Sequence, residues 1–202
     1  MEAGGLTQMS ESVRKLATYQ DVLDAPADKL AQLIDGELIL SPRPANRHSV
    51  AASRLGEELG PQFGRTKRVP GGWIILYEPE LHLGTRPQIL VPDLCGWRRE
   101  KMAQVPDEPS FTMPPDWVCE VLSPSTAGLD RVKKLAIYAA FGVRHVWLVD
   151  PREQTLEVLR LEGERWLIAA AHSGEERVRA EPFDAIELDL SILWADVARP
   201  TS

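Results

Sequence analysis

The stretch from Trp117 to Pro151 constrains the fold more than any other part of the chain. Trp117-Val118-Cys119-Glu120-Val121-Leu122 is an apolar run of strand length. Helical spacing follows from about Leu129 to Phe141, Ser125 or Thr126 can cap it, and Gly142 stops it. His145 to Val149 is a second apolar strand, ended by Asp150-Pro151. A strand, a helix and another core strand in so short a span make a crossover connection within one sheet.

The flanking segments fill in the rest. Thr18 to Leu23 reads as a capped helical turn. Ile34 to Leu40 is a hairpin turning on Asp35-Gly36. Ser41 to Asn46 is a loop, and from Arg47 to about Phe63 the apolar positions Val50, Leu55 and Leu59 have helical spacing. Trp73 to Leu83 and Ile89 to Trp97 read as strands, and residues 99–115, with four prolines, as a long loop of the kind that is often functional. Leu156 to Leu161, Arg165 to Ala171 and Ile186 to Leu190 read as a final meander. The fold class expected is α/β, a mixed central β-sheet flanked by helices. With no repeat and no interior linker, residues 16–198 form one domain behind a flexible N-terminus, 1–15. No apolar run approaches the ~20 residues of a membrane span. There is no basic and apolar leader, so a cytoplasmic location is expected.

Two acids stand where acids are expensive. Every neighbour of Glu120 is apolar, and Asp93 interrupts Ile89-Leu90-Val91-Pro92-Asp93-Leu94-Cys95 in the same way. Either acid needs a partner, a raised pKa or a cation, and a structural ion pair is the bland explanation for Glu120. On neighbouring strands the two carboxylates would face each other across ~5 Å. Oxygen ligands of that kind favour Mg²⁺ or Mn²⁺. Glu80 is either a third carboxylate of the cluster or a solvated strand-end charge. Asp130, Lys134 and Tyr138 are spaced to share one helix face, while Lys133 points away toward solvent. Lys134 follows the Glu120 strand closely and can lean back toward it. Cys95 and Cys119 read as small buried thiols, and no set of Cys and His suits zinc. Arg43, Arg47 and His48 form one basic group, and Arg98, Arg99 and Lys101 a second. Each is either a phosphate contact or solvated surface charge.

These residues resemble a known family. Pro92-Asp93, the block Asp116 to Thr126, Asp130 through Lys134 with Tyr138, Gly142-Val143 and Trp147 to Pro151 look like the Uma-two group of putative restriction endonucleases. Leu33-Ile34-Asp35-Gly36-Glu37 and His48 also match, and the resemblance spans about residues 18–195. It implies a restriction-endonuclease-like fold of the PD-(D/E)XK superfamily, with Asp93 the first metal ligand, Glu120 the second and Glu80 at the position of a further acid. The superfamily's usual lysine position, two residues after the second acid, is Leu122 here, and the resemblance transfers that role to Lys134. Gln32 stands where relatives often carry a glutamate.

The expectation is therefore a Mg²⁺- or Mn²⁺-dependent endonuclease acting on DNA. Asp93, Glu120 and Lys134 are catalytic, and Tyr138, Glu37 and His48 support them. Arg43, Arg47, Arg98 and Arg99 contact nucleic acid. A homodimer follows from the geometry of cutting two strands. The alternative is a nuclease-fold module that binds without chemistry, favoured by Leu122, Gln32 and the net charge of -7, since proteins that grip duplex DNA are usually basic.

Overall fold

The structure, a computed structural model, describes residues 16–64 and 72–197. The flexible N-terminus expected for residues 1–15 lies outside them. The short α1 (Tyr19–Leu23) leads into the hairpin β1 (Lys29–Ile34) and β2 (Glu37–Pro42). Its turn takes positive φ at both central residues, 52° at Asp35 and 76° at Gly36, the geometry that suits the twist of a two-residue hairpin. The helix α2 (Asn46–Leu59) follows and runs into a π turn, Gly60–Gly64. Its buried stripe is His48, Ala51, Leu55 and Leu59. Val50, expected on that stripe, is only half-buried.

The two long strands expected next are each broken in the middle. Trp73–Tyr77 (β3) and Leu81–Leu83 (β4) fall in different sheets, as do Gln88–Leu90 (β5) and Leu94–Arg98 (β6). The breaks face each other: the Glu78 N–H donates to the Asp93 carbonyl at 3.0 Å. Proline has no N–H to give a ladder, so Pro79 and Pro92 are where the ribbon bends, and Glu78 takes a φ of 43° to turn the corner.

Beyond the bend come β7 (Trp117–Val121), a π-helical stretch (Leu129–Lys134), α3 (Leu135–Ala140) and β8 (His145–Asp150). β7 and β8 pair in parallel, Glu120 opposite Leu148, as the crossover required. Gly142, at φ 73°, ends the helix. The caps expected at Ser125 or Thr126 give way to a hydroxyl cluster: Ser123 Oγ lies 3.0 Å from Ser125 Oγ and 2.9 Å from Thr126 Oγ1. β9 (Thr155–Glu162) and β10 (Arg165–Ser173) complete a six-stranded sheet in the order β10-β9-β8-β7-β6-β3. It is mixed, since only the β7–β8 pairing is parallel. A four-stranded antiparallel sheet, β2-β1-β5-β4, stands beside it. The last part of the meander does not join either: β11 (Arg177–Val178) pairs only with β12 (Leu188–Asp189), before the short α4 (Ser191–Trp194).

Alternation along β7 and β8 sorts the core into two layers. Trp117, Cys119, Val121, Trp147 and Val149 pack with α2, α4 and Phe183. Val118, Val146 and Leu148 face α3 and the smaller sheet. Glu120 points to this second layer by the same alternation, which aims a carboxylate at the crossover helix. Among the described residues no helix is long and apolar enough to cross a membrane.

Candidate active site

Asp93 sits on the bend between the two sheets. The β6–β7 ladder ends with Leu94 opposite Cys119. Where the next rung would fall, the Asp93 side chain takes over: its Oδ2 accepts the Val121 N–H at 2.7 Å. Its Oδ1 lies 3.1 Å from His48 Nε2. Burial alone would lower the His48 pKa, but the Asp93 hydrogen bond and charge outweigh it and the net shift is upward.

Glu120 is 1% exposed. Tyr138 Oη donates to its Oε1 at 2.5 Å and Lys134 Nζ to its Oε2 at 3.0 Å. Lys134 is also 2.9 Å from Asp130 Oδ1, one turn earlier on the helix. Asp130 Oδ1 is buried and has no donor besides this ammonium. Burial pushes the Glu120 carboxyl upward, Lys134 and Tyr138 oppose it, and the charges of Asp130 and Asp93 reinforce it. Burial works against the charge on Lys134, but Glu120, Asp130 and Asp93 more than offset it and hold the ammonium well above its ordinary pKa.

A cavity of about 250 Å³ joins these groups. Asp93, Glu120, Asp130 and Lys134 line it on the main-sheet side, together with Ser123, Ser125 and Thr126. Leu30, Gln32, Ser41, Arg43 and His48 close it from the other side. A larger recess of about 800 Å³ lies by α2 and β3. Among the described residues its one acid, Glu57, is paired with Arg54, so volume alone does not mark the site. The acid-rich cavity is where charge is concentrated.

A family model described as "Putative restriction endonuclease" (Uma2) matches residues 16–192. The chain belongs to that family. A crystal structure of a putative nuclease belonging to DUF820 from Anabaena variabilis ATCC 29413 matches with a TM-score of 0.70 at 22% identity. The match covers 88% of this chain and 97% of that one; at such identity the likeness is one of fold. No curated protein matches the chain.

Within this Uma2 chain the candidate residues separate. His48 pairs with Asp93, Lys134 and Tyr138 hold Glu120, and both groups reach one cavity, which Arg43 borders with its guanidinium donating to the Ala27 carbonyl at 3.0 Å. Arg47 is not among the lining residues. Glu80 is elsewhere: its Oε1 accepts from Tyr19 Oη at 2.8 Å and lies 2.6 Å from His82 Nε2, because the bend after Glu78 carries it into the smaller sheet. Glu37 pairs with Lys133 at 3.2 Å, so Lys133 is not merely solvated. Arg98 lies over the Trp73 ring at 4.6 Å, and Arg99 borders the 800 Å³ recess with a guanidinium nitrogen 3.2 Å from the Gly64 carbonyl. Neither reaches the acids. The long loop stays away as well, its Phe111 stacked on Trp97 at 4.6 Å.

Two contributors were missed as site residues. Asp130 was placed on the Lys134 face, but its burial, at 2% exposure, had no signal beyond that spacing. Gln32 is 1% exposed, and its side-chain oxygen accepts the Val91 N–H at 3.1 Å, bracing the segment that delivers Asp93.

The chemistry of the donors suits a hard divalent cation. Three buried or half-buried acids line the cavity with Lys134, His48 and Arg43. Among the described residues no three His, Cys, Asp or Glu side chains are gathered closely enough to hold an ion unaided.

Proposed function

We propose that this chain is a divalent-metal-dependent endonuclease that hydrolyses phosphodiester bonds of DNA in the cavity between Asp93, Glu120 and Lys134. The observation that carries the reading is the gathering of three acids, Asp93, Glu120 and Asp130, around that cavity with Lys134 held between two of them. Asp93 and Glu120 would hold Mg²⁺ or Mn²⁺. Such an ion polarises a phosphate oxygen and lowers the pKa of a bound water. The chain's own groups do the positioning. Val121 N–H and His48 fix the Asp93 carboxylate, and Tyr138 fixes Glu120. Lys134, held charged, offsets charge that develops on the phosphate. Arg43 at the cavity edge can meet a neighbouring phosphate. A two-fold dimer would present one cavity to each strand of a duplex.

The test is cleavage of supercoiled plasmid DNA with Mg²⁺ or Mn²⁺ by the wild type, Asp93→Ala and Glu120→Ala. Each variant should lose roughly a hundredfold or more of the rate. Equal cleavage by all three removes the site from the mechanism. A second reading keeps the fold as a binding module without chemistry. It is favoured by the engagement of both Glu120 oxygens by Lys134 and Tyr138. Titration calorimetry with Mn²⁺ separates the two, because the binding module takes up no ion at millimolar concentration.

A further inference from the structure

We propose that Lys134 is a tethered counter-cation that stands in for the metal at Glu120, and that Asp130 is the group onto which it withdraws when the metal binds. This rests on the metal-dependent reading above. The Lys134 ammonium lies 3.0 Å from Glu120 Oε2 and 2.9 Å from Asp130 Oδ1, and all three side chains are at most 5% exposed. A buried acid cluster without a cation is costly, so the lysine serves that need while no ion is present.

The two contacts are not equivalent. Glu120 has a second donor in Tyr138, while Asp130 Oδ1 has only the lysine. Asp130 Oδ1 already pairs with the ammonium at 2.9 Å and has no other donor. A rotation of the terminal lysine bonds would turn the ammonium fully onto Asp130, and it would give up Glu120 without becoming unpaired or exposed. The helix fixes this fallback, since Asp130 and Lys134 share the π-helical stretch in which the Leu135 N–H reaches the Asp130 carbonyl. π-helical turns of this kind recur at functional sites. Tyr138, one turn further on, holds the other Glu120 oxygen in place throughout the exchange. Asp130 is thus a positioning residue that acts through the lysine.

The experiment is Mn²⁺ calorimetry on the full chain for the wild type, Lys134→Met, Asp130→Asn and the double variant. Losing the competitor should tighten Mn²⁺ binding by roughly tenfold in Lys134→Met. Losing the fallback should weaken it by roughly threefold or more in Asp130→Asn. The double variant should bind like Lys134→Met, because Asp130 acts through the lysine. Unchanged or weaker binding by Lys134→Met, or an Asp130→Asn effect that persists in full in the double variant, overturns the proposal while leaving a metal site intact. No binding by any of the four overturns the metal reading itself. Melting curves give a second measurement: Mn²⁺ should raise the melting temperature of Lys134→Met by more than that of the wild type. A Lys134→Met chain that stays unfolded at saturating Mn²⁺ also overturns the proposal.

Discussion

Replacing Lys134 with methionine should cost far more stability than replacing Glu120 with glutamine, although the two residues form one ion pair. At 3.0 and 2.9 Å, each carboxylate attracts the ammonium by about 5 kcal/mol at an effective dielectric near 20. Much of that attraction only offsets the desolvation of the lysine. What survives removal of one partner from a buried pair is about 3–5 kcal/mol. Lys134→Met strands Glu120 and Asp130 together, so it should reach that range. Glu120→Gln keeps the shape and an acceptor for Tyr138, leaves Lys134 its Asp130 contact and relieves repulsion among the acids. Its cost should be about 1 kcal/mol. Urea denaturation with EDTA present, read as midpoint and m-value, measures both. The Lys134→Met deficit should also shrink as pH falls through about 8, where Glu120, its carboxyl pushed up by burial, takes up a proton. A Glu120→Gln cost equal to or above that of Lys134→Met would refute the view that the cluster is short of positive charge.

Phe183 touches four rings, Phe63, Trp73, Trp117 and Trp147, at centroid distances from 4.8 to 5.7 Å. Phe183→Ala should lose about 3–5 kcal/mol in the same assay, and Phe111→Ala, partly exposed against Trp97, clearly less. His145 is lowered by burial, against the pull of Glu181 and with the help of Arg98, Arg160 and Arg144. The unfolded chain then binds more protons below about pH 6.5, so stability should fall as pH drops through that value, and His145→Gln should flatten the fall. Cys95 and Cys119 are fully buried, and their thiols are pushed up by burial. A thiol reagent should label them only at the rate of unfolding.

The crossover block was legible because strand, helix and strand periodicities follow one another there without ambiguity, and Glu120 announced itself as the one charge in an apolar run. The bend was not legible. Trp73 to Leu83 and Ile89 to Trp97 read as unbroken strands, since strand periodicity cannot show that a ribbon changes sheets at Pro79 and Pro92. That single omission explains Glu80, which lies beyond the bend and bonds Tyr19 and His82 instead of the other acids. The need of Glu120 for a partner was stated correctly in general terms, and the structure supplies Lys134 and Tyr138 first. Asp130 was legible only as a neighbour of Lys134 on one helix face and Gln32 only through the family resemblance, because the burial of both depends on three-dimensional neighbours.

The bend at Asp93 also bears on how such a chain can change over time. The acids, the lysine and the hydroxyls of Ser123, Ser125 and Thr126 belong to the main sheet and its crossover, whereas Leu30, Gln32 and Ser41 on the opposite wall belong to the smaller sheet. Inheritance of the two walls is therefore separable. Substitutions at Leu30 and Ser41 can reshape the cavity while its charges stay where they are, whereas Gln32 is tied to the segment that carries Asp93.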